Sequence, residues 1–139
     1  MPAIHTYHVT VSSTAIDANG HANNVEYLRW FQDGAISHAD AAGCTAATLA
    51  IGASWVVRSH QITYLRPAFE GDRLIVKTWV ATFEKVSSIR RYQILRPSDN
   101  AVLAEGETNW IFIDAPSGRP RRIPPEIAGL FTLHPSGAP

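Results

Sequence analysis

Asp17-Ala18-Asn19-Gly20-His21-Ala22-Asn23-Asn24-Val25-Glu26-Tyr27-Leu28-Arg29-Trp30-Phe31 passes from turn chemistry to helical period within a few residues. The opening Asp-Ala-Asn-Gly favours a tight turn, because Asp and Asn bond their own backbone and Gly accepts positive φ. From Asn24 to Ala42, Val25, Leu28, Phe31, Ile36, Ala39 and Ala42 recur at mixed three- and four-residue intervals or their sums, which predicts one apolar face of a helix. Gly43 supplies its natural stop. Gly34 falls inside this helix at a cost of about 1 kcal/mol relative to alanine, which predicts close packing against a sheet.

On either side of this segment the period changes to two. Tyr7 to Ser12 is β-rich and predicts a first strand. Beyond Gly52, four segments are rich in β-branched and aromatic residues: Trp55 to Leu65, Arg73 to Glu84, Ser87 to Leu95 and Val102 to Asp114. The breaks at 67–72, 85–86 and 97–100 are short enough for antiparallel neighbours. Gly118 to Pro125 is a basic, proline-marked tail leading to a short helix through Phe131. One strand, a long helix and four antiparallel strands predict an α+β domain whose sheet wraps the helix. No repeat or linker divides residues 1–139, so a single domain is expected.

Composition excludes several partners. Twelve basic residues balance twelve acidic ones, so no global field draws in nucleic acid or an anionic membrane. Two of the twelve cations are lysines, Lys77 and Lys85, and the other ten are arginines, which suit forked recognition of phosphate. Charged residues make up only 17% of the chain, which favours coverage of some surface by another subunit. Cys44 is the only cysteine, so no internal disulfide forms and a small buried hydrophobe is expected there. Met1 to Thr10 lacks the basic start and apolar run of a signal peptide, and uncharged Ala41 to Val57 is too weakly apolar for a span. A cytoplasmic location without membrane insertion is the expectation.

The turn before the helix carries the chemistry. A helix starting there offers unpaired N–H groups and a fractional charge of roughly +0.5, able to hold an oxyanion. Read structurally, Asp17, Asn23 or Asn24 caps the helix and Gly20 makes the turn. One cap needs one side chain, however, and this turn also supplies a histidine and a second asparagine.

Asp17-x-x-Gly20-His21-x-Asn23-Asn24-x-x-Tyr27-Leu28-x-Trp30-Phe31 resembles the signature of hotdog-fold thioesterases of the 4-hydroxybenzoyl-CoA type and the related short-chain acyl-CoA group. Ile62-Thr63-Tyr64-Leu65-Arg66-Pro67-Ala68 with Gly71-Asp72, then Ala104-Glu105-Gly106, Asp114 and Arg122-Ile123-Pro124, are similar to later parts of that family. The resemblance implies a five-stranded antiparallel sheet wrapped around a long central helix. It further implies homodimers with active sites at the interface, commonly paired into tetramers, and hydrolysis of an acyl-CoA without cofactor or metal. The position of Asp17 is implied as the catalytic carboxylate, nucleophile or general base, and Asn24 as the helix start whose N–H polarises the thioester carbonyl. His21 is implied in a supporting role. Gln32-Asp33 departs from the glutamate many members carry there, which concerns a second helix carboxylate and not Asp17.

Elsewhere, Arg90 and Arg91, with Arg119, Arg121 and Arg122, are candidates for the coenzyme A phosphates. His5 and His8 fall on opposite faces of an extended segment, and His38, His60 and His134 are isolated in sequence, so no metal is expected. Trp30, Trp55, Trp79 and Trp110 are expected to pack in the core or an interface. Two alternatives to hydrolysis remain: a hotdog hydratase or dehydratase, which calls for a different acid–histidine spacing than Asp17-x-x-x-His21, and a non-catalytic dimeric acyl-CoA-binding module.

Overall fold

The computed structural model describes residues 2–139. Strand β1 (His5–Thr10) leads through a 3₁₀ turn at Ser13–Ala15 to the long helix α1 (Asn24–Ala41). A short helix α2 (Cys44–Ala50) follows, then strands β2 (Ala53–Tyr64), β3 (Arg73–Phe83), β4 (Ser87–Arg96) and β5 (Ala101–Asp114), and a final turn of helix α3 (Pro125–Ala128). The five strands form one sheet in the order β1-β3-β4-β5-β2, with every neighbouring pair antiparallel. This is the α+β arrangement that the periodicity predicts. No helix is long and apolar enough to cross a membrane among the described residues.

Two predictions of detail need correction. Helix α2 lies where no element is predicted, because its Ala- and Thr-rich sequence has little apolar signal. Helix α1 also buries a stripe that shares Phe31 with the one its apolar residues predict but is otherwise displaced from it. Tyr27, Trp30, Phe31, Gly34, Ala35 and His38 face the core, while Val25 and Ile36 are 61% and 56% exposed. The observed stripe keeps the three- and four-residue spacing. Its inner half is built from glycine, alanine and histidine, which carry almost no hydrophobic signal.

Small residues let the helix sit tight on the sheet. A Cβ on Gly34 would lie 3.0 Å from Val76 Cγ1, as close packing against strands requires. Phe31 stacks on Tyr92 of β4 with ring centroids 4.5 Å apart. Beside that stack a Cβ on Gly106 would lie 2.6 Å from the Gln61 carbonyl and 2.7 Å from Phe31 Cε2. The core therefore divides in two, one part around the N-terminal half of α1 with Val76, Tyr92, Ile94 and Leu103, the other holding Cys44, Ala53, Phe112, Ile123 and Ile127.

The segment before α1 is stitched to the loop after β2. Val11 N–H donates to the Asp72 carbonyl and Gly71 N–H returns a bond to Val11, both at 2.9 Å. Ala22 N–H donates to the Ala68 carbonyl and Asn23 N–H to the Ala15 carbonyl, also at 2.9 Å. Arg96 closes the far side of that loop, bonding Asp72 Oδ2, the Pro67 carbonyl and both oxygens of Asp99. The start of α1 is thus fixed against residues 66–72.

Candidate active site

Asp17 opens a tight turn. Gly20 N–H donates to the Asp17 carbonyl at 3.1 Å, Asp17 N–H donates to the His21 carbonyl at 2.8 Å, and Gly20 sits at φ +79°. Only a residue tolerant of the left-handed region closes such a turn without strain. The Asp17 carboxylate accepts from Asn19 N–H at 2.9 Å, which orients the side chain at the head of the turn.

Asn23, of the three candidate caps, is the one that caps α1. Its Oδ1 accepts from Val25 N–H at 3.0 Å, and its backbone is extended at φ −60°, ψ 141°. Glu26 N–H bonds the Asn23 carbonyl. The N–H of Asn24 takes no acceptor among the described residues. It stands as a free donor at the positive end of an 18-residue helix.

Asp17, His21 and Asn24 line one cavity of about 530 Å³, together with Asn19, Asn23, Tyr27, Tyr64 and Arg66. The side chains that the first motif singles out are therefore gathered by the fold. His21 is held by Phe69, its ring edge-on at 5.4 Å, and no bond joins its ring to the Asp17 carboxylate among the described residues. Tyr27 receives Ala68 N–H at 2.8 Å and donates to the Arg66 carbonyl at 3.3 Å, and Tyr64 donates to the Asn24 carbonyl at 3.2 Å. Burial pushes the Tyr27 hydroxyl above the ordinary phenol range, so it stays neutral and serves as a hinge pin between α1 and the loop. No three His, Cys, Asp or Glu side chains gather as metal ligands among the described residues.

Arg90 and Arg91, expected together as phosphate ligands, are parted by the strand that carries them. Neighbours on a strand point to opposite faces. Arg90 turns inward beneath α1, 6% exposed, and bonds His38 Nδ1 and Thr78 Oγ1. Arg91 turns outward to Glu107 and the Pro135 carbonyl. Neither lines the cavity that holds Asp17; the cation that does is Arg66. Its signal lay in the Ile62–Ala68 motif, but which loop meets the helix start depends on the β2–β5 register, which no local pattern encodes. His38 is likewise isolated only in sequence, since its ring stacks on His5 at 4.9 Å.

The family described as the thioesterase-like superfamily matches residues 11–131. Slr0204, a 1,4-dihydroxy-2-naphthoyl-CoA thioesterase from Synechocystis, superposes with a TM-score of 0.82 at 19% identity over 91% of this chain and 94% of its own. YbaW, a probable thioesterase from Escherichia coli, gives 0.84 at 20% identity over 91% and 95%. A probable thioesterase from Bartonella henselae gives 0.75 at 24% identity over 88% and 100%. No curated protein matches the chain in sequence. The structural likenesses establish the hotdog fold, and the match over residues 11–131 establishes the family: the chain belongs to the thioesterase-like superfamily and is, in class, a thioester hydrolase.

Proposed function

We propose that the chain hydrolyses an acyl-CoA thioester to a free carboxylic acid and CoA at the cavity shared by Asp17, His21 and Asn24. The observation that carries this is the convergence of a carboxylate and a free helix-terminal N–H on one open cavity. Attack on a thioester carbon turns its carbonyl oxygen into an oxyanion, and a fixed N–H donor aimed there is worth about 3 kcal/mol. Asn24 N–H is that donor. Asp17 supplies the other half, either by attacking the carbon to give a mixed anhydride that water resolves, or by taking a proton from the attacking water. His21 lines the same space and shapes the approach of water and the departure of the CoA thiolate. Arg66, exposed at the rim, meets the phosphate-bearing part of CoA.

A homodimer joined along β2 completes the proposal, with pairing of dimers into a tetramer as the further step. Strand β2 bonds only β5 among the described strands, leaving its other edge open, and Val56 and Val57 on it are exposed. An open apolar edge invites a second strand. Release of free thiol from benzoyl-, butyryl- and decanoyl-CoA tests the reaction and ranks the acyl groups. Wild type is expected to release CoA, and Asp17→Asn to lower kcat by about 10²–10⁴-fold with folding unchanged. A binding module would retain the thioester intact in both proteins.

A further inference from the structure

At the other end of α1 lies a second cavity, of about 380 Å³, between the helices and the sheet. Its wall is mostly apolar, with Ala39 of α1, Leu49 of α2, Trp55 of β2, Phe83 of β3 and Phe131 prominent in it. Arg90 is set into this wall. Its Nη1 donates to His38 Nδ1 at 2.9 Å and Thr78 Oγ1 at 3.1 Å, and its guanidinium carbon lies 5.7 Å from the centre of the Phe131 ring.

None of these partners carries negative charge. A hydroxyl is neutral, and an imidazole that accepts at Nδ1 is in its neutral form. The ion pairs among the described residues involve Arg29, Arg91, Arg96 and Arg121 and leave Arg90 out. Every other arginine is at least partly exposed, so the one withdrawn from water is also without a carboxylate. Arginine keeps its proton in proteins, and a buried charge is ordinarily paired because leaving it alone costs several kcal/mol. Its Nε and Nη2 donors take no acceptor among the described residues.

We propose that this chamber binds a carboxylate with an apolar body, an aliphatic or single-ring acid whose chain fills the cavity and whose head group pairs with the Arg90 fork. The volume lies near the lower end of ligand sites, roughly 300–1,000 Å³, which suits such an acid and not a nucleotide. The site is separate from the hydrolytic one on the same chain: eleven residues of helix between Asn24 and Ala35 span about 17 Å. Two sources share this chemistry, a free acid and the distal carboxylate of a diacid thioester.

Calorimetric titration of the full chain with decanoate and with decanol reads the charge preference. Decanoate is expected to bind at least about tenfold more tightly than decanol, and Arg90→Met to remove the difference. Leu49→Glu, on the 77%-exposed rim, keeps the test open if Arg90→Met does not fold, since it weakens decanoate and spares decanol. Asp17→Asn retains the binding, so failure of this site and failure of hydrolysis are told apart. Comparison of kcat/KM for 15-carboxypentadecanoyl-CoA and palmitoyl-CoA, whose chains are long enough to run from Asn24 to Arg90, distinguishes the sources: an Arg90-dependent preference for the diacid assigns the chamber to the substrate's far end, and none, with decanoate still bound, assigns it to a free acid. Equal treatment of charged and neutral ligands in both arms overturns the proposal.

Discussion

His38 sits 2% exposed on the buried face of α1, and burial first, then the charges of Arg90 and His5, hold its pKa at about 3 against an ordinary 6.5. His5, stacked on it, is lowered for the same reasons, burial ahead of Arg90. A base whose folded pKa is depressed binds fewer protons folded than unfolded, so stability rises with pH across the interval between the two values. Urea unfolding at a series of pH values is therefore expected to show stability falling below about pH 6.5, at up to about 1.4 kcal/mol per unit for His38. His38→Gln keeps an acceptor for Arg90 and flattens that limb; an unchanged slope contradicts the assignment. Gly106 gives a second prediction at this scale. Its Cβ would strike a backbone carbonyl that cannot swing aside, so Gly106→Ala costs about 1–3 kcal/mol in denaturant unfolding. Asp17, His21 and Asn24 were legible in the sequence because they lie within eight residues and one local turn gathers them. The place of Arg66 at that cavity and the burial of Arg90 were not, because both are set by contacts between distant segments.

At the scale of elements, α1 shows why period alone names a helix but not its buried face. Val25 and Ile36 supplied the strongest apolar signal and stand outside, while Gly34, Ala35 and His38 lie within. The sheet decides this at Gly34, where Val76 comes so close that a Cβ would lie 3.0 Å from its Cγ1. The strands were easier to read. Alternation in β4 matches its burial, and Ser87–Arg96 differs from the predicted span by one residue. Strand β1 lies two residues earlier than its pattern indicates, because Val11 and Ser12 leave the ladder to carry the chain toward the 3₁₀ turn. Helix α2 escaped notice because Thr45, Ala46, Ala47 and Thr48 have neither helical periodicity nor β-branched density, and Gly43 at φ +79° is what turns the chain into it.

At the scale of the molecule, most of the large exposed apolar residues fall on or beside β2, the strand at the open edge of the sheet. Val56, Val57, Tyr64 and Leu65 lie on or just after β2, and Leu49 and Ile51 just before it. Sedimentation equilibrium is expected to give at least twice the chain mass, and Val57→Lys, a charge on the open edge, to shift the protein toward monomer with its secondary structure kept. A wild-type monomer at micromolar concentration would contradict the shared-sheet dimer.

The convergence of Asp17 and the helix tip on one thioester carbon is tested most directly in the backbone amide spectrum of Asp17→Asn titrated with benzoyl-CoA, where the ligand survives uncleaved. The Asn24 amide proton is predicted to move downfield as it donates to the thioester carbonyl, with accompanying shifts across residues 17–24. Saturation that leaves Asn24 unmoved, with shifts confined to the Arg90–Arg91 strand, would contradict it.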